Sequence, residues 1–321
     1  MSRRNTDIRS ILSALLRVSI SVILLWYVIS RVGFDTLIEH LQTLEPVTLI
    51  IAVGLSVLGV GLSAWKWRVL LSVKGIKLTL LTAWVYYYIG QFFNAFLPSI
   101  IGGDTARMYY LYADTNDGSA SVSSVVIERI AGLYSILCIV LVAVAFGYEL
   151  VPTRIADMVL LGCAVGIITI PLLLFTDLLR PVLETTIFDI QVLDIGNRAE
   201  RLYTAVYEYR QAKRAVVIAL LLSVVFRVLL IASNYVVALG LGIEIPLVYF
   251  FVFIPLVELF LFLPISIQGF GVRESAYLYL FTSVGVGDGV ALTFGVVMQL
   301  ILRVINNIIG GAVYAVHTLR S

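Results

Sequence analysis

The chain has 321 residues, of which 60% are hydrophobic and only 13% charged, and its mean hydropathy is +1.02. A soluble domain carries roughly 25% charged residues to cover its surface, so a water-soluble globule is excluded and lipid is the expected solvent. The 22 basic and 20 acidic side chains nearly cancel, which excludes a protein that binds nucleic acid through bulk positive charge.

The amino terminus, MSRRNTDIRS, is basic and leads into the apolar run Ile11–Ile29. No small-x-small cleavage site is present, so this run is expected to be a retained span rather than a signal peptide. A helical crossing needs about 20 apolar residues, and the same scan predicts crossings at Val47–Ala64, Val122–Phe146, Met158–Phe175, Val216–Leu239 and Val290–Val316. The expected fold class is all-α: one polytopic membrane domain over residues 1–321 with six full crossings.

Two further apolar regions, Leu78–Tyr112 and Leu247–Phe281, carry helix breakers in mid-run. Pro98 with Gly102 and Gly103 interrupts the first, and Pro264 with Gly269 and Gly271 interrupts the second. Each region is therefore expected to form two half-helices in a re-entrant hairpin. That topology places the termini and the basic residues of 1–17, 66–77 and 180–214 on the cytoplasmic side, leaving Arg31 and Arg154 outside. If the first region crossed instead, the basic cluster between Arg180 and Arg214 would move outward, against the positive-inside rule.

FLPSIIGGDTAR and FLPISIQGFGVRE match as well, with an arginine nine residues after each proline, at Arg107 and Arg273. They suggest an inverted repeat, with halves near 1–150 and 151–321, whose motifs meet near the midplane. The segment 177–214 is expected to be cytoplasmic. Within it Leu202, Val206 and Tyr209 share one helical face, which suits either an interfacial helix or a solvated connector.

A helix that starts inside the membrane directs unsatisfied N–H groups and a positive dipole end into the interior, where phosphate is a natural guest. Asp104 is expected to N-cap the returning half-helix of the first hairpin and to set Arg107 in its first turn. The second hairpin offers Arg273 with Glu274. Arginine suits the role because its planar fork holds two phosphate oxygens and stays charged when desolvated. Lysine is absent from every predicted span.

Glu128, Arg129, Arg227, Glu258 and Arg303 also fall in or near apolar runs, with Gln91, Asn94, Asn234, Gln299, Asn306 and Asn307 as polar companions. A central membrane charge costs at least about 2.5 kcal/mol, so such groups either line a substrate cavity or pair with one another. In the packing alternative Glu258 neutralises Arg227 or Arg303, Glu128 neutralises a neighbour, and Arg129 snorkels toward the cytoplasm.

Other features point to no catalytic centre. Cys138 and Cys163 form no CxxC pair and His40 and His317 are isolated, so neither a disulfide framework nor a zinc site is expected. DTNDG resembles a calcium loop, but Ala113 and Thr115 would occupy ligand places. Gly162-x-x-x-Gly166 reads as a packing contact within the bundle. No P-loop, nucleophile elbow, dinucleotide fingerprint or HExxH motif is present, and no cofactor is expected.

The runs NAFLPSIIGGDTARMYYL, IERIAGL and LPISIQGFGVRESAYLYLF resemble the lysylphosphatidylglycerol synthase/flippase transmembrane family over nearly the whole chain. That family includes the membrane region of the bacterial multiple peptide resistance factor and archaeal relatives linked to dolichol-phosphate sugar handling. The resemblance maps its motifs onto Asn94, Pro98, Gly102, Gly103, Asp104 and Arg107, onto Glu128 and Arg129, and onto Pro264, Gly269, Gly271, Arg273 and Glu274. It implies a membrane region without the soluble aminoacyl transferase domain of the resistance factor, and a lipid substrate that need not be lysylphosphatidylglycerol.

The function expected is lipid transport, flippase- or scramblase-like, for an anionic phospholipid or polyprenyl-phosphate lipid in the cell membrane. Arg107 and Arg273 would hold the headgroup phosphate, oriented by Asp104, Glu128, Glu258 and Glu274. The alternatives are an intramembrane transferase on lipid-linked phosphate, with Asp104 or Glu128 as base, and a scaffold subunit of an envelope lipid or polysaccharide system.

Overall fold

The computed structural model describes residue 26 and residues 34–96, 102–150, 153–183, 195–261 and 269–319. All regular elements among them are helical. The principal ones are α1 (Phe34–Thr43), α2 (Pro46–Val73), α3 (Leu80–Phe96), α4 (Gly102–Thr115), α5 (Gly118–Phe146) and α6 (Thr153–Phe175). They continue with α7 (Ile195–Tyr207), α8 (Lys213–Gly240), α9 (Leu247–Phe260), α10 (Val272–Thr282), α11 (Asp288–Gln299) and α12 (Asn306–Thr318).

Among the described residues, five helical stretches are long and apolar enough to cross a membrane: Pro46–Val73, Gly118–Phe146, Ala156–Phe175, Lys213–Gly240 and Asp288–Thr318. Each contains one crossing expected from the sequence. The remaining expected crossing, Ile11–Ile29, lies outside the described residues apart from Trp26. The stretch Ala156–Phe175 leaves Met158, Leu161, Val165 and Ile168 exposed, a surface that water would penalise and hydrocarbon accepts.

Helix α2 has 28 residues and so runs about 42 Å, longer than a hydrocarbon core of about 30 Å. Its hydropathy fades after Ala64 but its helix does not, so Lys66 and Trp67 sit on a continuing helix. The expectation that the spans carry no lysine is corrected here: Lys66 lies within the stretch long enough to cross and is buried. The last stretch passes from α11 through a π-helical turn, Leu300–Ile305, into α12.

Both broken regions fold as pairs of helices that pack on each other. Along one continuous helix, residues nine apart lie about 13 Å from each other. Asn94 Oδ1 instead accepts a 2.7 Å hydrogen bond from Gly103 N, so α4 begins against the end of α3. The rings of Tyr86 and Tyr110 meet at 5.6 Å, and the Tyr86 hydroxyl donates to Asp114. In the second region Arg273 meets Glu258, and Phe281 packs on Phe253 at 5.6 Å. Pro98 and Pro264 lie outside the described residues.

The helices contribute to two compact units. One gathers the chain up to Leu58, Tyr88–Gly103 and the part from Leu229 onward, and the other gathers Gly59–Tyr87 and Asp104–Val228. The first has an aromatic core in which Phe294 packs on Tyr277 at 5.0 Å and on Phe281 at 4.8 Å. The second has an aliphatic core of Leu70, Ile127, Ala131, Ala219 and the ring of Tyr209. Gly166 is the half of the Gly-x-x-x-Gly pair with a close contact: a Cβ there would come 2.7 Å from Leu137, whereas one on Gly162 would meet nothing within 4 Å.

Candidate functional site

In the second unit, α4 presents Asp104 and Arg107 one turn apart, hence on one face. Helix α5 presents Glu128 and Arg129, consecutive residues whose side chains diverge by about 100°. The two helices therefore meet through crossed ion pairs. Arg107 Nη1 donates to Glu128 Oε2 at 2.6 Å, and Arg129 Nε donates to Asp104 Oδ2 at 2.8 Å. Arg107 Nη2 also lies 2.9 Å from Asp104 Oδ1.

Lys66 and Tyr87 join from α2 and α3. Lys66 Nζ lies 3.4 Å from Glu128 Oε1, and the Tyr87 hydroxyl donates to that same oxygen. The Arg107 guanidinium carbon stands 4.4 Å from the Tyr87 ring centroid and 5.0 Å from that of Trp67, within cation–π range. Trp67 Nε1 donates to Ser124 Oγ at 3.0 Å, which fixes the indole.

The arrangement corrects the expected role of Asp104. Helix α4 starts at Gly102, so Asp104 lies inside the first turn, and its carboxylate binds two arginines rather than capping backbone. Arg129 is likewise held by Asp104. Its side chain is 45% exposed, against 3% for Arg107, so it is the accessible member of the cluster. Three basic side chains face two carboxylates, and all of them but Arg129 are buried. Such a pairing is stable only while every partner is present, and removing one costs about 3–5 kcal/mol.

Asn94, in the first unit, serves backbone geometry. A Cβ on Gly103 would lie 2.2 Å from the Gly90 carbonyl oxygen, so only glycine lets the start of α4 pack so closely. Asn94 then satisfies the exposed Gly103 N–H.

The second hairpin holds its arginine differently. Arg273 Nη1 lies 3.0 Å from Glu258 Oε1 in an ion pair. The contact is off hydrogen-bond alignment, and among the described residues the buried Nε and Nη1 have no aligned acceptor. Glu274 turns back to accept from Gly271 N at 2.8 Å and caps α10. Gly269 and Gly271, at φ +83° and +79°, provide the left-handed backbone that leads into it. Tyr277 donates to Asn234 Oδ1 at 3.1 Å.

Gln299 is buried, and neither atom of its amide has a hydrogen-bond partner among the described residues. A Cβ on Gly295 of α11 would lie 3.1 Å from Glu274 Cα, and the short connection Ser283–Gly287 makes α10 and α11 antiparallel. Gln299, one turn beyond Gly295, is thus level with the residues that immediately precede α10. Of the other expected residues, Arg227 places its guanidinium 5.3 Å from the Phe226 ring, and Arg303 lies in the π-helical turn.

Sequence reasoning missed Lys66, Trp67 and Tyr87 as cluster members. The sequence trace they leave is the aromatic-flanked lysine of WKW and the tyrosine run VYYY. No group of three or more His, Cys, Asp and Glu side chains is arranged to hold a metal among the described residues.

These features define a multi-pass helical membrane protein with an ionic cluster buried in its apolar interior. Residues 14–310 match the family model described as lysylphosphatidylglycerol synthase TM region, and the chain belongs to that family. No curated protein matches the sequence. Family membership indicates a function connected with membrane lipid.

Proposed function

We propose that the protein moves a lipid with a phosphate-bearing headgroup, an anionic phospholipid or polyprenyl-phosphate lipid, between leaflets of the cell membrane. Both hairpins are then re-entrant and both termini cytoplasmic, the orientation favoured by the basic segments. The observation that carries the reading is Arg273: a buried guanidinium with donors lacking aligned acceptors, at the first turn of a helix whose positive dipole end favours an anion. A phosphate there would complete its hydrogen bonds.

The cluster around Arg107 supports the same reading. Its basic side chains, the accessible Arg129 above all, can receive a phosphate by exchange with Asp104 or Glu128. Carrying the headgroup requires no bond to be broken, only a lower cost of passage through hydrocarbon.

Reconstitution in liposomes with short-chain fluorescent phosphatidylglycerol and a polyprenyl-phosphate analogue tests this. Wild type is expected to exchange at least one probe between leaflets faster than protein-free liposomes, and Arg273→Ala to lose that exchange while remaining folded. No exchange of either probe by wild type would contradict lipid transport and turn attention to the transferase and scaffold readings.

A further inference from the structure

A cavity of about 360 Å³ lies within the second unit, walled by α5, α6, the end of α7 and the start of α8. Ile127, Ala131, Ile170, Leu174 and Val216 are among its apolar walls. Among the described residues, the charged side chains in its wall are Arg210 and Lys213, both cations. They sit at the end where α6 finishes and α8 begins, beside Phe175. From there the cavity runs along α5 from Ile127 to Tyr134 and along α8 from Lys213 to Leu220, about 10 Å on each helix.

The basic end is built rather than incidental. Tyr209 is buried, and its hydroxyl donates to the Leu70 carbonyl at 3.1 Å, which ties the turn to α2. Burial raises the pKa of this phenol, so it stays protonated and remains a donor. The Arg210 guanidinium lies 5.0 Å from the Tyr207 ring and 3.4 Å from Asp177, and two-thirds of its side chain is covered. Lys213 is exposed and takes part in no ion pair or side-chain hydrogen bond among the described residues.

We propose that this cavity binds one anionic phospholipid laterally, with an acyl chain along α5 and α8 and the headgroup phosphate between Arg210 and Lys213. An apolar slot whose charged wall residues are both cations, with the nearby Asp177 already engaged by Arg210, is more complementary to an anionic amphiphile than to a zwitterionic one. The positive-inside orientation sets this mouth at the cytoplasmic leaflet, whose anionic lipids attract such cations. The site is separate from the ionic cluster, yet Ile127 in its wall precedes Glu128 in the cluster. A seated lipid therefore braces the turn of α5 that positions Glu128.

Thermal unfolding of the purified full chain in detergent, with phosphatidylglycerol or phosphatidylcholine of identical chains, tests the site. Phosphatidylglycerol is expected to raise the Tm of wild type by at least ~3 °C more than phosphatidylcholine does. Lys213→Glu, an exposed change, should abolish that difference, and Val217→Trp, which fills the slot from an exposed position, should abolish the gain with either lipid. Equal gains from the two lipids in wild type, or an undiminished difference in Lys213→Glu, would overturn the proposal. Because binding is read by Tm, the outcome is independent of leaflet exchange.

Discussion

The two hairpin arginines occupy matching places in sequence and opposite states in structure. Arg107 is saturated: two carboxylates bind it, two aromatic rings flank it, and Lys66 and Arg129 share its carboxylates. Arg273 is as deeply buried but pairs with Glu258 off hydrogen-bond alignment and retains unsatisfied donors. The difference lies in the partner helix. Helix α5 brings Glu128 to the first hairpin, whereas the helix after the second hairpin, α11, brings Phe294 and Gly295 against α10. One hairpin is locked by charge, and the other leaves guanidinium donors without aligned acceptors among the described residues.

That contrast can be broken most directly by truncating each arginine. Arg107→Ala leaves Asp104 with Arg129 and Glu128 with Lys66 and Tyr87 but removes the cation that joins the two carboxylates, and is expected to cost about 3 kcal/mol, read by thermal unfolding in detergent. Arg273→Ala removes the ion pair with the partly exposed Glu258 and is expected to cost about 1–3 kcal/mol. Equal losses would erase the distinction between a locked and an open hairpin.

The glycines sharpen it at the backbone. Gly103→Ala drives a Cβ into the Gly90 carbonyl, a contact backbone cannot easily relieve, and should cost about 3 kcal/mol. Gly269→Ala meets only the end of the Leu261 side chain, so its cost is chiefly that of positive φ, about 1–2 kcal/mol. The same unfolding measurement ranks them.

Smaller effects remain. Tyr87→Phe removes a donor to Glu128, which still has Arg107 and Lys66, and is expected to cost about 1 kcal/mol. Its loss should vanish in a Glu128→Gln background, which a double-mutant cycle would detect. Gly162→Ala, with open space around it, should change stability by no more than about 0.5 kcal/mol.

Much of the fold was legible because length and hydropathy alone define a span, as five of the six expected crossings illustrate. Proline and glycine positions likewise marked where α3 and α4, and α9 and α10, separate. Asp104 and Arg107 were legible from the broken-helix motif, and Glu128 and Arg129 because charge is expensive in hydrocarbon. Their pairing was not, since Arg107 and Glu128 lie 21 positions apart and only tertiary packing joins them. Lys66 was missed because apolar composition ends at Ala64 while helical geometry continues to Val73. Asn94 looked like a binding residue, and only the close approach of Gly103 to α3 reveals its bond to backbone.

The central claim, that a lipid phosphate completes the hydrogen bonding of Arg273, is tested most directly by leaflet exchange of fluorescent phosphatidylglycerol in liposomes carrying equal amounts of folded wild type, Arg273→Lys and Arg273→Ala. Arg273→Ala is expected to fall to the protein-free rate and Arg273→Lys, which keeps charge but loses the fork, to fall between the two. Exchange by Arg273→Ala at the wild-type rate would contradict the claim.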